Sequence, residues 1–242
     1  MNYIILGAGG IGYHIAEPLA RIICYPPACV KDSIKDPILW IVDGDVVEDH
    51  NLGRQHGAKA VGINKASVLA DHVSSVFPEL QIQVIKAYLS DQNQAPHRDW
   101  LKSGLTVFGC VDNNSSRCFL ETLLDDYDDF TWVDGGNDLD SGQAMLWRRA
   151  GGSDMCPSLT SCNPEMLHPT SDDAFPDQRD CSKEWPSQPQ LALANQAVAQ
   201  AMLQLWFTQV LNKPVDQPRF NMILVDITEG RATPQTQYRL TN

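Results

Sequence analysis

The chain opens with a short apolar run that leads directly into a glycine-rich loop, Gly7-Ala8-Gly9-Gly10-Ile11-Gly12. Asn2–Leu6 has the composition of a buried parallel strand, and Ile11–Ile23 carries apolar residues at helical spacing. Glycines at the first, third and sixth positions let the backbone turn sharply and approach a phosphate, and the helix that follows presents unpaired N–H groups to that anion. This order of strand, loop and helix predicts an α/β fold with a nucleotide site, and the loop alone leaves the nucleotide open.

Strand and helix patterns continue to alternate over residues 1–150. The strands predicted after the first are Ile38–Val42, Gln81–Ala87, Leu105–Val111, Phe130–Val133 and Ala144–Arg149, and the predicted helices are Gly62–Phe77 and about Ser115–Leu124. Acidic or glycine residues follow several of these strands. The pattern predicts a Rossmann-like, doubly wound and mostly parallel sheet, in which ligands bind at the carboxyl ends of the strands.

The composition changes after residue 150. Gly151–Gln188 is rich in Pro, Ser, Asp and Gly and has little periodicity, and irregular segments of this length are usually functional or mobile. Leu191–Leu211 regains helical spacing, and Met222–Ile227 and Thr236–Leu240 have the pattern of closing strands. We expect residues 1–150 to form the core, with residues 151–242 adding an irregular segment, a long helix and closing strands packed on the same domain.

Charge and hydropathy restrict the partners of this chain. Its net charge of −12 argues against binding to nucleic acid or to an anionic membrane, because both require basic surface. No apolar run approaches the roughly 18–20 residues that span a bilayer. The first six residues lack the basic start of a signal peptide, so we expect a cytoplasmic protein.

The seven cysteines are an odd number in a chain without an export signal, which favours free thiols over disulfides. No Cys-x-x-Cys pair occurs, so a structural zinc site of four cysteines is not expected. Cys156, Cys162 and Cys181 with His168 offer only a weak alternative.

Three acids follow predicted strands. Asp43 ends the second strand, where an acid usually accepts hydrogen bonds from ribose hydroxyls, and Asp45 has a position suited to the same role. This role is shared by nicotinamide and adenylate enzymes. Asp112 ends the Leu105–Val111 strand, where it faces the phosphates and holds Mg²⁺, or caps the next helix, or both.

Arg54 and Lys65 separate the two classes of nucleotide enzyme. A hydride-transfer site holds a pyrophosphate that never breaks, whereas an adenylation site neutralises the charge that grows on departing pyrophosphate. The guanidinium of Arg54 can bind two phosphate oxygens at once, and Lys65 supplies a compact charge at the start of a helix. Asn51 adds an uncharged hydrogen-bond donor. The alternative for either basic residue is a solvated surface position.

Cys181 is a candidate nucleophile because Lys183 and the start of the long helix lie close to it in sequence. The acids around it, Asp172, Asp173, Asp177 and Asp180, oppose this by raising the pKa of its thiol. Cys156 and Cys162 are its rivals.

Taken in order, the motifs resemble the ThiF/MoeB-like superfamily of ubiquitin-activating and sulfur-carrier-adenylating enzymes. The resemblance covers about residues 3–136, and a weaker resemblance extends to Cys181 and the helix after it. Its motifs are the glycine loop, Val42-Asp43-Gly44-Asp45, Asn51-Leu52-Gly53-Arg54-Gln55, Val61-Gly62-Ile63-Asn64-Lys65-Ala66 and Cys110-Val111-Asp112-Asn113.

The resemblance implies that ATP and Mg²⁺ bind and that a C-terminal glycine carboxylate of a ubiquitin-like or sulfur-carrier-like protein is adenylated. It places the nucleotide on Gly7, Gly9, Gly10, Gly12, Asp43, Asp45, Asn51, Arg54 and Lys65, with Asp112 on the metal. It also implies a homodimer and a thioester on Cys181, with the apolar C-terminal helices as candidate interface.

Three departures separate the chain from typical members: the zinc motifs and the helix before the first strand are missing, and the Cys24–Pro37 loop is long. They suggest a short bacterial branch similar to the PRTRC-type ThiF proteins of plasmid and mobile-element clusters. Two other functions stay open. One is a nucleotide-binding scaffold without catalysis, and the other is an NAD-dependent oxidoreductase, which the glycine loop and Asp43 alone favour.

Overall fold

The computed structural model describes residues 1–52, 58–93, 97–168, 175, 191–212 and 218–236. The strands are β1 Asn2–Leu6, β2 Ile38–Val42, β3 Gln81–Ile85, β4 Leu105–Gly109, β5 Phe130–Asn137, β6 Ser141–Ala150, β7 Ser153–Asp154, β8 Met222–Asp226 and β9 Arg231–Gln235. The helices are α1 Gly10–Cys24, α2 Lys65–Val76, α3 Asn114–Leu124, α4 Leu159–Cys162 and α5 Ala192–Trp206, and a π-helical turn, Phe207–Leu211, continues α5.

Five parallel strands form the first half of one sheet, in the order β3-β2-β1-β4-β5. The chain builds outward from β1 in one direction and then returns to add β4 on the other side. This reversal beside β1 is the crevice in which Rossmann-like sheets bind ligands. Leu6 pairs with both Val42 and Gly109, and Gly109 pairs with Asp134, so four strands end at one level. The predicted Rossmann-like fold is confirmed.

The second half of the sheet is antiparallel, with β6, β8 and β9 following β5 and β7 pairing with β6. The last strand lies earlier than predicted, at Arg231–Gln235, and Thr236 is outside it. The turn explains the shift: Asp226 accepts the N–H of Glu229 at 3.0 Å and Gly230 has a φ of 61°. This tight turn lets β9 begin pairing with β8 at Arg231, directly opposite Asp226. The rest of the predicted Thr236–Leu240 strand lies outside the described residues.

Apolar side chains pack on both faces of the sheet. One face carries α1, α2 and α5, and the other carries α3 and α4. Val198, Met202, Leu205 and Trp206 of α5 are buried in this core, against α1, β5 and β6 among others. The expectation that the apolar side of this helix forms a dimer interface is therefore wrong, because the chain's own sheet covers it. Among the described residues, no helix is both long and apolar enough to cross a membrane.

Candidate functional site

The glycine loop links β1 to α1 at the reversal point of the sheet. Gly7 has a φ of 96°, and a Cβ there would stand 2.7 Å from the carbonyl oxygen of Cys110. A Cβ on Gly10 would collide with the side chain of Asn195. Gly9 differs, because no atom of the described residues lies within 4 Å of its Cβ position. The loop is thus closed against the protein at Gly7 and Gly10 and open at Gly9, beside the N–H groups of the first turn of α1.

Asp43 ties this loop to the end of β2. One carboxylate oxygen accepts the N–H of Ala8 at 2.6 Å, and the other accepts the N–H of Asp45 at 2.8 Å. Burial raises the pKa of Asp43 to about 6, although the charge of Lys65 opposes the shift. The expected contact of Asp43 with ribose stays a prediction, and the side chain also positions the loop.

Asp45 and Lys65 form an ion pair beside Asp43. Lys65 Nζ lies 2.8 Å from Asp45 Oδ2, and the hydroxyl of Tyr88 donates to Asp45 Oδ1. Asn64, the N-cap of α2, donates its amide to the carbonyl oxygens of Asp43 and Asp45 at 2.9 and 3.0 Å. The Lys65 side chain is 13% exposed and that of Asp45 46% exposed, so the pair stands at the rim of the site.

Asn51 lies in the turn that follows β2. Its residue is 1% exposed, and its Oδ1 accepts the N–H of Glu48 at 3.0 Å. Its Nδ2 has no hydrogen-bond partner in the part of the chain that the structure describes. An unused buried donor at this place fits the predicted contact with a phosphate oxygen. Arg54, three residues further, lies outside the described residues, as does Cys181.

Asp112 is exposed and follows β4 at the same edge of the sheet. The cap of α3 is Asn113, whose Oδ1 accepts the N–H of Ser116 at 2.8 Å. The alternative that Asp112 caps this helix is therefore wrong. Among the described residues there is no group of three or more His, Cys, Asp or Glu that could hold a metal. Mg²⁺ at nucleotide sites commonly takes one or two carboxylates and completes its shell with phosphates and water, so a single exposed acid fits it.

Arg117 and Asp134 form a second ion pair, at the ends of β4 and β5. Arg117 Nε lies 2.9 Å from Asp134 Oδ2, and Nη2 donates to the carbonyl oxygens of Val111 and Gly135 at 2.6 and 3.2 Å. Burial raises the pKa of Asp134 to about 6 against the opposing charge of Arg117. The guanidinium is engaged with protein groups through Nε, Nη1 and Nη2, which indicates a structural role for Arg117.

The six described cysteines are free thiols. Burial raises the pKa of Cys110 well above its usual range, and burial raises that of Cys156 to about 12. Cys162 is buried as well. Buried, protonated thiols are poor nucleophiles, so the two rivals of Cys181 are weak candidates.

Sequence reasoning missed three residues of the site: Asn64, Tyr88 and Asn195. Tyr88 follows β3 and carried the same signal as the acids, a polar group just beyond a strand end. Asn195 breaks the apolar side of α5, since Val198, Ala199 and Met202 at helical spacing from it are buried. A lone amide in an apolar helical stripe is the pattern that could have identified it.

The glycine loop at the reversal point, with an acid at the end of β2, defines a Rossmann-like protein whose loop is shaped for phosphate. The chain belongs to the ThiF family, which residues 1–234 match.

Known relatives agree with this assignment. Over 119 residues the chain is 28% identical to tRNA threonylcarbamoyladenosine dehydratase of Haemophilus influenzae, a match covering 48% of this chain and 40% of that protein. Escherichia coli MccB with ATP superposes with a TM-score of 0.67 at 18% identity, covering 98% of this chain and 64% of MccB. PaaA gives 0.66 at 15% identity, covering 97% and 72%. The chain thus spans about two fifths of its curated relative and under two thirds of MccB.

Proposed function

We propose that this protein adenylates the C-terminal carboxylate of a small ubiquitin-like or sulfur-carrier-like protein with ATP. The observation that carries the proposal is the cation beside the glycine loop. Lys65 stands at the rim, paired with the half-exposed Asp45, next to the loop that Asp43 fixes. A cation in this setting exchanges its carboxylate partner for phosphate at little cost, because the ion pair is partly solvated.

The proposed reaction is one displacement at phosphorus. A carboxylate oxygen of the carrier tail attacks the α-phosphorus of ATP, the bond from that phosphorus to the bridging oxygen breaks, and pyrophosphate leaves. Lys65 and the unused amide of Asn51 bind the phosphate oxygens on which charge develops. Asp43 accepts the ribose hydroxyls. The family motif that contains Arg54 supports this residue as a further ligand of the phosphates.

Asp112 is the proposed ligand for Mg²⁺. When bound there with the nucleotide, the ion would neutralise phosphate charge and favour pyrophosphate as leaving group. Asp112 is exposed past β4, at the edge of the sheet where the glycine loop lies, and Asn113 Nδ2 donates to its Oδ1 at 3.5 Å.

Proteins similar to this chain support a second substrate beside the nucleotide. Escherichia coli MccB has been solved with ATP, and also with AMPCPP and MccA at a TM-score of 0.65 and 16% identity. A ThiF-family fold can therefore hold a nucleotide and a second substrate. The named substrate of the Haemophilus influenzae relative is a modified nucleoside of tRNA. The acidic charge of this chain favours a protein or peptide over a nucleic acid.

The end of β5 borders a groove that a carrier tail can follow. Gly136 and Asn137 line a groove of about 620 Å³, together with Gly142, Arg231 and Thr233 of the antiparallel strands. We propose that the tail follows this groove toward the glycine loop.

A second step transfers the acyl group to Cys181. Its thiolate attacks the acyl carbon, the carbon–oxygen bond to AMP breaks, and a thioester forms. The burial of Cys156 and Cys162 supports Cys181 over its rivals. Mass spectrometry of the intact protein after reaction with ATP and a carrier, for wild type and Cys181→Ala, tests this step. An adduct that survives in the variant would reject it.

Calorimetry is the first test of which nucleotide the protein binds. Wild type is expected to bind ATP with Mg²⁺ and to ignore NAD(H), and Asp112→Ala is expected to lose the dependence on Mg²⁺. Asp126→Ala, an exposed acid before β5 at the opposite edge of the sheet, is the matched control. Preference for NAD(H) would instead support an oxidoreductase, and no nucleotide binding at all would remove the proposed function while leaving the fold.

ATP–pyrophosphate exchange tests the chemistry. Small proteins ending in glycine are expected to stimulate exchange by wild type, and Arg54→Ala is expected to abolish it. Tight ATP binding without exchange from any carrier would favour the scaffold.

We also propose a homodimer, with an interface other than the buried side of α5. Light scattering coupled to size exclusion measures the mass directly. A mass of one 242-residue chain would refute it.

A further inference from the structure

Helix α5 brings one polar side chain to the glycine loop. Asn195 lies in the first turn of α5, and a Cβ on Gly10 would stand 2.5 Å from its Nδ2 and 2.6 Å from its Cγ. A glycine at position 10 is therefore what allows this amide to rest against the start of α1. The contact joins two segments that are 185 residues apart in sequence.

The amide of Asn195 is buried and unsatisfied. The residue is 1% exposed, and neither Nδ2 nor Oδ1 has a hydrogen-bond partner among the residues that the structure describes. Leaving both ends of a buried amide unpaired destabilises a fold, and a leucine would fill the same place among Val198, Ala199 and Met202 without that penalty. The part of the chain that the structure describes gives no reason for an amide here.

The surroundings suggest what pairs with it. The first turn of α1 presents N–H groups and the positive end of its dipole beside Gly10, and the side of Gly9 is open. A phosphate oxygen bound there is an acceptor, which an amide donor satisfies. The geometry points to Asn195 as a further phosphate-binding residue, which donates Nδ2 to the phosphates of the nucleotide at the glycine loop. This inference rests on the proposed function for the identity of the ligand.

Contact requires a small movement, because both amide atoms are shielded from solvent in the absence of ligand. Asn195 stands only three residues after Ala192, where α5 begins, and terminal turns of helices open more readily than their centres. Nucleotide binding therefore reorders the first turn of α5. Hydrogen exchange in residues 191–199 is the observable for this movement.

Two variants and one control test the role of Asn195. Asn195→Leu removes the unpaired amide, so the melting temperature of the free protein should rise by roughly 2–8 °C while ATP affinity falls roughly 10- to 100-fold. Asn195→Asp keeps the shape but repels phosphate and should weaken ATP at least as much. The control is Thr106→Val in β4. It removes a hydroxyl that is also buried and without a partner among the described residues, and it should leave ATP affinity unchanged.

Calorimetry with ATP and Mg²⁺ and hydrogen exchange are run on all four proteins. Lost affinity in both Asn195 variants, with ATP-dependent protection of residues 191–199 only in wild type and Thr106→Val, supports the inference. Wild-type affinity in the Asn195 variants overturns it and leaves the proposed function intact. A wild type that binds no ATP overturns both.

Discussion

Two ion pairs at the same edge of the sheet are built differently. Lys65 pairs with Asp45, which is 46% exposed, whereas Arg117 pairs with Asp134, which is 9% exposed. Arg117 also donates to two backbone carbonyls, and the side chain of Asp45 shares its other oxygen with Tyr88. The open pair can exchange a partner for a ligand, and the closed pair holds the ends of β4 and β5 in place. Four variants test this contrast.

Arg117→Ala has the largest expected effect. It leaves Asp134 buried without its counter-charge, so the free energy of unfolding should fall by about 3–5 kcal/mol. Urea denaturation at pH 7 measures it. Arg21→Ala, which breaks an exposed pair with Glu17, is the control and should cost less than about 1 kcal/mol. Equal losses in the two variants would contradict the structural role of Arg117.

Lys65→Ala should act on the ligand and spare the fold. We expect roughly 30- to 100-fold weaker binding of ATP with Mg²⁺, about 2–3 kcal/mol, because a charge-assisted bond to phosphate is lost. Stability should change by less than about 1 kcal/mol, since the Asp45 pair is half-exposed. Calorimetry compares it with Lys102→Ala, an exposed lysine before β4. Unchanged affinity would remove Lys65 from the site.

Asp134→Asn should weaken the pH dependence of stability without abolishing it, because Asp43 is also buried with its pKa raised to about 6. The pKa of Asp134 is raised to about 6 in the fold, so its stabilising contribution is present below about pH 4 and is lost as pH rises through 6. In wild type this lowers the free energy of unfolding by about 2–3 kcal/mol across that window, and the variant should lack that part of the decline. Denaturation series from pH 4 to 7 measure the difference. Exposed Asp138→Asn is the control, and parallel curves for Asp134→Asn and wild type would contradict the burial of this charge.

Tyr88→Phe should have the smallest effect. It removes the hydroxyl that donates to Asp45, which then holds Lys65 more tightly, so ATP affinity should fall about twofold to threefold. Tyr127→Phe, which loses a hydroxyl bond to the carbonyl of Leu101 away from the loop, should bind ATP like wild type. A rise in affinity for Tyr88→Phe would show that the hydroxyl opposes release of Lys65.

The parallel half of the fold was predictable because its signals are local. Asn2–Leu6 and Ile38–Val42 were predicted with their observed bounds, since apolar β-rich runs bounded by polar or turn-forming residues leave little freedom in where a strand ends. The helix predicted from Gly62 begins three residues later, because Asn64 caps it. The final strand was misplaced, since a turn set by Asp226 and Gly230 determines where pairing resumes.

The candidate site, like the fold, has a part that local sequence signals predict and a part that they do not. The sequence alone determined the glycine loop, the acids after the strands and Lys65, because parallel strands necessarily bring their carboxyl ends to one edge. Only the tertiary structure decided that Asp45 holds Lys65, that Asn113 rather than Asp112 caps α3, and that Asn195 rests on Gly10. These contacts join segments up to 185 residues apart. The cap of α3 depends on the local backbone geometry, which decides between two neighbouring polar residues. The other two contacts depend on distances that packing sets, and no local pattern of residues encodes them.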